Sequence, residues 1–161
     1  MFTVRYVDTS VRRPRWRFNA ATRVTPRLSL GAEYNAVEGE WSPTGNWIAH
    51  TETAKWPMVS LGTSSDRIGT PEGNQAYYVS FAKSIPGAKA APYLSVNYSE
   101  FENGFNFPFG VNFALTEKWD LLAMNDGRKS HLLLTLRQPD YSISLLYIWL
   151  KRPGISVSWG F

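Results

Sequence analysis

The chain has 161 residues, contains no cysteine and carries a formal net charge of +4. Hydrophobic residues make up 43% of the sequence and aromatic residues 15%, yet no uncharged apolar run approaches the ~18 residues that a membrane-spanning helix requires. These values predict one domain (1–161), exclude disulfides and thiolate metal sites, and provide no continuous basic tract for a nucleic-acid partner.

Alternating apolar and polar residues, separated by turn signals, run along the whole chain. This pattern predicts an all-β fold, namely a closed up-and-down antiparallel transmembrane β-barrel of about 12 strands, with 10–14 strands as the range. The predicted strands are 2–8, 15–24, 28–37, 46–54, 58–66, 75–85, 91–100, 107–116, 119–126, 129–138, 141–151 and 154–161.

The predicted connections alternate between two length classes, as they do in outer-membrane barrels. Short turns are expected at 25–27, 55–57, 86–89, 117–118 and 139–140. Mostly longer loops are expected at 9–14, 38–45, 67–74 and 100–106, together with the tighter connections 127–128 and 152–154. An even number of strands places both termini at the short-turn end. No leader segment is visible, so for an exported protein we expect the sequence to be a mature form or to begin at an added methionine.

The two faces of the strands favour a membrane barrel over a soluble one. The last strand puts Ile155, Val157, Trp159 and Phe161 on one face and small residues on the other. All six lysines lie within about three residues of a predicted turn, which fits lipid contact because a mid-membrane lysine costs ~2–4 kcal/mol. Aromatic residues near strand ends are expected to form interfacial girdles, namely Trp16, Trp47, Trp119, Tyr141 and Trp149. The alternative is a soluble β-sandwich or a lipocalin-like barrel.

The small or polar parity of the strands predicts which side chains line the lumen, as a pore or as a polar core. These residues are Arg5, Arg17, Arg23, Glu33, His50, Glu52, Asp66, Asp120, Asp126, His131 and Arg137. Their mixed charges favour a narrow, weakly selective passive channel for small polar solutes. The other interpretation is that these side chains pair with one another in a polar core, so that the barrel transports nothing and is a structural component of the envelope.

Strand 141–151 does not follow this rule, because Leu146, Ile148 and Leu150 have the inward parity. That wall is expected to be apolar, or the strand contacts another protein. The third function class is an outer-membrane hydrolase with Ser130 and His131 as candidate catalytic residues. As neighbours in a strand, these two side chains point to opposite faces. No motif assigns a catalytic residue, a metal site or a cofactor, so we expect a non-enzymatic protein.

Charges in the long loops are predicted to divide the rim into a basic and an acidic part. Loops one, five and six meet across the barrel seam and carry Arg12, Arg13, Arg15, Arg128, Lys129, Lys151 and Arg152. The other three carry Glu38, Glu40, Glu72, Glu100 and Glu102, with Arg67 as the exception. Because arginine binds anionic oxygens in a bidentate manner, we expect the basic rim to contact lipopolysaccharide or an acidic polysaccharide, unless these are ordinary solvated loop charges.

Three stretches carry a resemblance to a known family: 30–35, 59–63 leading to 77–83, and 111–122. They resemble segments of bacterial outer-membrane barrels of the YjbH type. That resemblance implies a context of exopolysaccharide production, with other envelope proteins or polysaccharide as partners, and carries over no functional residue. Together with the terminal strand, which is expected to pair with strand one, it predicts a location in the bacterial outer membrane among membrane lipids.

Overall fold

The computed structural model describes residues 1–11, 15–71 and 73–160. The described chain forms thirteen β-segments: β1 (Phe2–Val7), β2 (Trp16–Thr25), β3 (Leu28–Asn35), β4 (Glu40–His50), β5 (Met58–Ser65), β6 (Gln75–Ala82), β7 (Ala90–Ser99), β8 (Gly104–Asn106), β9 (Phe109–Ala114), β10 (Trp119–Asn125), β11 (Ser130–Arg137), β12 (Tyr141–Ile148) and β13 (Arg152–Trp159). Among these residues, no helix is long and apolar enough to cross a membrane.

Segments β8 and β9 are two halves of one barrel strand. Both pair with β7 in a single register, in which Asn97 faces Asn106 and Leu94 faces Phe109. The strand is interrupted at Pro108, because proline has no N–H for the ladder. The barrel therefore has twelve strands, each antiparallel to its chain neighbour, and the predicted fold class is confirmed.

Pairing between β1 and β13 closes the barrel. The ladder runs from Phe2 opposite Trp159 to Val7 opposite Gly154, as the sequence predicted. Closure leaves no sheet edge unpaired among the described strands, as a barrel in lipid requires. Phe161, expected beside the start of the chain, lies outside the described residues.

Connections of the two predicted length classes are not found. Both termini lie at one end of the barrel, here called the termini end, with the connections that follow β2, β4, β6, β9 and β11. The connections at the opposite end, the loop end, follow β1, β3, β5, β7, β10 and β12. Connections 51–57 and 83–89 at the termini end are longer than 36–39 or 149–151 at the loop end, so strict short–long alternation was wrong.

Two boundary errors have clear physical causes. Strand β4 begins at Glu40 rather than at residue 46, although Pro43 favours a loop. Strand β5 pairs with β4 only from Gly45 onwards, so no hydrogen bond to β5 is required of Pro43. The last turn lies at 149–151 rather than at 152–154, since Arg152 pairs with Ile148. Trp149 and Leu150 adopt positive φ angles of 56° and 51° there, which turn chemistry would assign to Asn or Gly.

The outer face is apolar, with aromatic side chains near both ends. Exposed rings at the termini end include Phe2, Trp47, Trp119, Tyr141 and Trp159, and those at the loop end include Trp16, Trp41, Tyr77, Phe105 and Tyr147. All six lysines lie outside the strands. Trp149, expected in a girdle, instead lies against Gly69, with a Cβ built on that glycine 3.3 Å from the ring. Its left-handed turn points it toward the barrel mouth.

Candidate functional site

The lumen holds a cavity of about 560 Å³ that touches both halves of the barrel. Its walls come from β1–β3, from β10–β13 and from residues of the connection after β5. A second, smaller space at the termini end has a volume of about 360 Å³, and Met1 and the Arg137 region border it. Polar, charged and apolar side chains of β1–β3 and β10–β13 therefore face these two spaces.

Arg5, Arg17 and Glu33 form what we call the charged strip on β1–β3. The Nε of Arg17 lies 2.8 Å from the Oε1 of Glu33. Ser65 donates from its hydroxyl to the same carboxylate oxygen at 2.6 Å, and accepts from the Arg17 Nη2 at 3.0 Å. Arg5 lies directly across from Arg17 in the β1–β2 ladder. Partial pairing of this kind allows charges to be kept inside a barrel.

Residues 66–71, here called the inward loop, fold from the end of β5 toward the barrel interior. Asp66 is only 1% exposed and accepts a hydrogen bond from the Ser99 hydroxyl of β7. Arg67 pairs with Glu102, and Thr70 donates from its backbone N–H and from its hydroxyl to the Arg67 carbonyl. These bonds hold a turn inside the mouth at the loop end.

Ile68 carries the inward loop across to the far side of the lumen. It packs against a cluster formed by Val7, Leu146 and Ile148, which are 0–5% exposed. Val7 belongs to β1, and the other two belong to β12, so the loop contacts strands on both sides of the β1–β13 seam. The loop narrows the mouth.

The apolar inward parity of strand 141–151 is explained by this contact. Leu146 and Ile148 face the lumen and are covered there by Ile68 of the same chain. Leu133 and Met124, inward on neighbouring strands, extend the surface along the cavity. We call these four residues the apolar wall. Leu150 lies in the turn and is exposed.

His131 is buried at 3% exposure between two hydrogen-bond partners. Its Nδ1 accepts from the Trp149 backbone N–H at 3.3 Å, and its Nε2 lies 2.9 Å from the Asp126 Oδ2. With Nδ1 as the acceptor, Nε2 is the nitrogen that donates to Asp126. Neither nitrogen is left to serve as a general base, and the Ser130 hydroxyl instead accepts from Asn125.

Asp126 begins the connection between β10 and β11. Burial by itself would raise the pKa of Asp126, but hydrogen bonds from His131 and from the backbone N–H groups of Lys129 and Arg128 outweigh it and lower this pKa. The carboxylate thus organises the turn that reaches the cavity. Gly127 lies against Asn106, with a built Cβ 2.8 Å from the Oδ1 of Asn106.

Six of the eleven residues predicted for the lumen lie on the larger cavity: Arg5, Arg17, Glu33, Asp66, Asp126 and His131. Asp120 and Arg137 form an ion pair toward the termini end, where the Arg137 side chain is 62% exposed. Arg23 is exposed near the turn after β2.

His50 and Glu52 lie at the termini end rather than on the cavity. A register shift between Ile48 and His50 ends the regular ladder, and the Nδ1 of His50 lies 3.2 Å from the Pro57 carbonyl. The Ser84 backbone N–H donates to Glu52, and this bond, with those from the Ser84 hydroxyl and Lys83, lowers the pKa of Glu52. Glu52 therefore ties the connection after β4 to the connection after β6, whereas His50 contacts the far end of the connection that it begins.

A solved structure with the same architecture was found by comparison of folds. The NanC porin matches with a TM-score of 0.68 at 12% sequence identity, covering 100% of this chain and 100% of that chain. This chain has the fold of the NanC porin. No family model and no curated protein matches the sequence. The resemblance to YjbH-type barrels therefore stays a prediction, as does a role in polysaccharide secretion or envelope assembly.

On this porin fold, the described residues of the predicted basic rim lie at the loop end. Arg15, Lys151 and Arg152 are exposed there. Lys129 Nζ lies 4.4 Å from the centre of the Trp149 ring, a cation–π distance. Arg128 makes two hydrogen bonds to Glu102, which also binds Arg67. Arg12 and Arg13 lie outside the described residues.

Sequence reasoning missed the residues that hold the inward loop. Ile68, Ser99 and Glu102 were assigned to connections or left without a role, although each touches the loop. One signal was present, since apolar residues at inward positions of strand 141–151 require an apolar partner inside the barrel.

Proposed function

We propose that this chain is an outer-membrane channel through which small polar solutes pass passively. The observation that carries the proposal is the pair of spaces inside the barrel, in which charged and polar residues of β1–β3 and β11–β13 line the walls together with the apolar wall. Eight-stranded barrels fill with side chains, and sixteen strands leave a wide aqueous channel. The lumen of a twelve-stranded barrel, narrowed by the inward loop, has a width that suits small solutes.

The outer surface supports the membrane location. Its apolar face, its two groups of exposed rings and the absence of lysine from every strand are the features expected of a barrel in lipid. The fold shared with the NanC porin agrees with this location. In this orientation the termini end faces the periplasm and the loop end faces outward.

Liposome swelling tests the channel. Folded barrel, verified by heat-modifiable gel mobility, is reconstituted into liposomes and challenged with uncharged sugars of increasing size. We expect swelling with the smallest sugars and a steep decline with size, because the inward loop narrows the mouth. Protein that folds and inserts but leaves liposomes as tight as protein-free ones would mean that the lumen is only a polar core.

The loop provides an internal control for that experiment. In a variant whose inward loop is replaced by a short Gly-Ser connection between Ser65 and Asn74, larger sugars should enter. An unchanged size limit would show that another part of the lumen sets it.

A further inference from the structure

A groove of about 400 Å³, here called the outer groove, lies on the outside of the barrel over β9–β11. Val111 and Ala123 form its floor and face each other across β9 and β10. Phe109 and Phe113 lie on one side of this floor, and Leu132 lies on the other. The distance along the strand from Phe109 to Phe113 is about 13 Å, which gives the outer groove the length of an extended acyl chain.

The loop end of the outer groove is polar. Asn125 and Ser130 line it there, and the Asn125 Nδ2 donates to the Ser130 Oγ at 3.1 Å. Leu150, in the turn after β12, lines the same groove. The chain neighbours of Ser130 and Leu150 are Lys129 and Lys151, and both lysines are exposed. Two lysines therefore flank the loop end of an apolar groove.

These two lysines are available to an anion. Within residues 1–11, 15–71 and 73–160, no carboxylate forms an ion pair with Lys129 or Lys151. The Lys129 ammonium group lies over the Trp149 ring, a contact that leaves its hydrogen-bond donors in place. The carboxylates of the neighbouring connections are engaged elsewhere, since Asp126 binds a histidine and Glu102 binds two arginines.

An acyl chain and an anionic head group are the two parts of one kind of ligand. Other lipid tails are as apolar as the groove, so a preference for one lipid must come from close packing and from the head group. Lysines beside a membrane surface attract anionic lipids. In the outward leaflet of a bacterial outer membrane, the anionic lipid is lipopolysaccharide, which carries phosphates above several acyl chains.

We infer that the outer groove binds lipopolysaccharide, with one acyl chain over Ala123 and a phosphate at Lys129 and Lys151. This inference rests on the membrane location and orientation given under the proposed function. It does not require the lumen to conduct.

Native mass spectrometry of the detergent-solubilised barrel measures the binding, because it counts the lipids bound to each barrel. The probes are lipid A, dephosphorylated lipid A and phosphatidylglycerol. We expect lipid A to bind at a concentration at least about fivefold below that of either comparison lipid. Equal binding of phosphatidylglycerol would assign the groove to anionic lipids in general and overturn the assignment to lipopolysaccharide.

Two alanine variants test the site of the acyl chain. Ala123→Trp fills the floor of the outer groove, whereas Ala20→Trp fills a separate outer recess of about 260 Å³ on the far side of the β1–β13 seam. The first should weaken lipid A binding at least about fivefold, and the second should leave it unchanged. Heat-modifiable gel mobility verifies that both variants are folded. Equal binding by the two folded variants would overturn the site.

The head group has its own pair of variants, which does not depend on the fold of a tryptophan variant. Lys151→Gln should weaken lipid A binding about fivefold. Lys118→Gln is the control, because Lys118 lies in the connection between β9 and β10 at the termini end. Equal effects of the two substitutions would overturn the role given to Lys151.

Liposome swelling of the same preparations separates this inference from the channel. A barrel that conducts sugars but binds lipid A no better than the comparison lipids overturns the groove assignment and leaves the channel standing. A barrel that binds lipid A in the outer groove but does not conduct supports the groove assignment and overturns the channel.

Discussion

Two walls of one lumen follow different rules. On β1–β3 the inward positions are polar and charged, and Arg17, Glu33 and Ser65 satisfy one another. On β10–β12 the inward positions include Met124, Leu133, Leu146 and Ile148, part of which the inward loop covers. The comparison teaches that inward positions of a barrel are not uniformly polar. Where a loop returns into the lumen, the wall becomes a small apolar core.

The strongest test of this comparison removes that core. Leu146→Ala should lower the free energy of unfolding by about 2–5 kcal/mol, because a 5% exposed side chain is replaced by a cavity. The inward loop should also become susceptible to protease. The matched control is Leu145→Ala, whose side chain is 55% exposed on the outer face. Equal protease susceptibility in the two variants would contradict the role given to the wall.

A second change tests how space is filled on β5 and β6. Gly62 faces inward beneath Tyr78, and a Cβ there would lie 2.4 Å from that ring and 2.4 Å from the Gly45 carbonyl oxygen. Gly62→Ala should therefore destabilise the barrel by about 1–3 kcal/mol. Gly45→Ala is the control, since its nearest contact, at 3.5 Å, is ordinary. Urea unfolding of both variants measures the difference, and a tolerated Gly62→Ala would refute the packing.

The turn beside the apolar wall should respond to acid. The pKa of Asp126 is lowered in the folded protein from its ordinary value of 3.8. The stabilisation is therefore complete above pH 3.8 and is lost as the pH falls through the lower folded value. Trp149, linked to Asp126 through His131, should report this loss by its fluorescence. Asp126→Asn should abolish the transition. A fluorescence midpoint above pH 3.8 would mean that folding raises the pKa of Asp126, which would contradict this prediction.

The smallest effect is expected at the rim, where charges are exposed and screened. Replacing Lys151 and Arg152 by Gln should weaken binding of lipopolysaccharide about fivefold per residue at low salt, with little change in stability. Lys89 and Lys118, which lie at the termini end, supply the control pair. If both pairs of substitutions weakened lipopolysaccharide binding equally, the basic rim would act only as ordinary surface charge.

Strand identity and closure were predictable because a period of two is imposed by the pleat wherever one face contacts lipid. The faces of Arg5, Arg17 and Glu33 follow from that period alone. The same period predicted Asp66 for the lumen, but not the turn that holds it there, because that turn depends on Ser99 and Glu102, more than thirty residues away along the chain. Boundaries failed at Pro43 and at Trp149, where ladder pairing overrode local turn preference.

The central claim, a conducting lumen between two unlike walls, is tested most directly by thiol modification under current recording. The chain has no cysteine, so Ser144→Cys on the cavity and Leu145→Cys on the outer face can each be labelled alone. A negatively charged methanethiosulfonate reagent should reduce the single-channel current of Ser144→Cys and leave that of Leu145→Cys unchanged. Equal responses of the two variants, or the absence of any current from folded protein, would contradict the account.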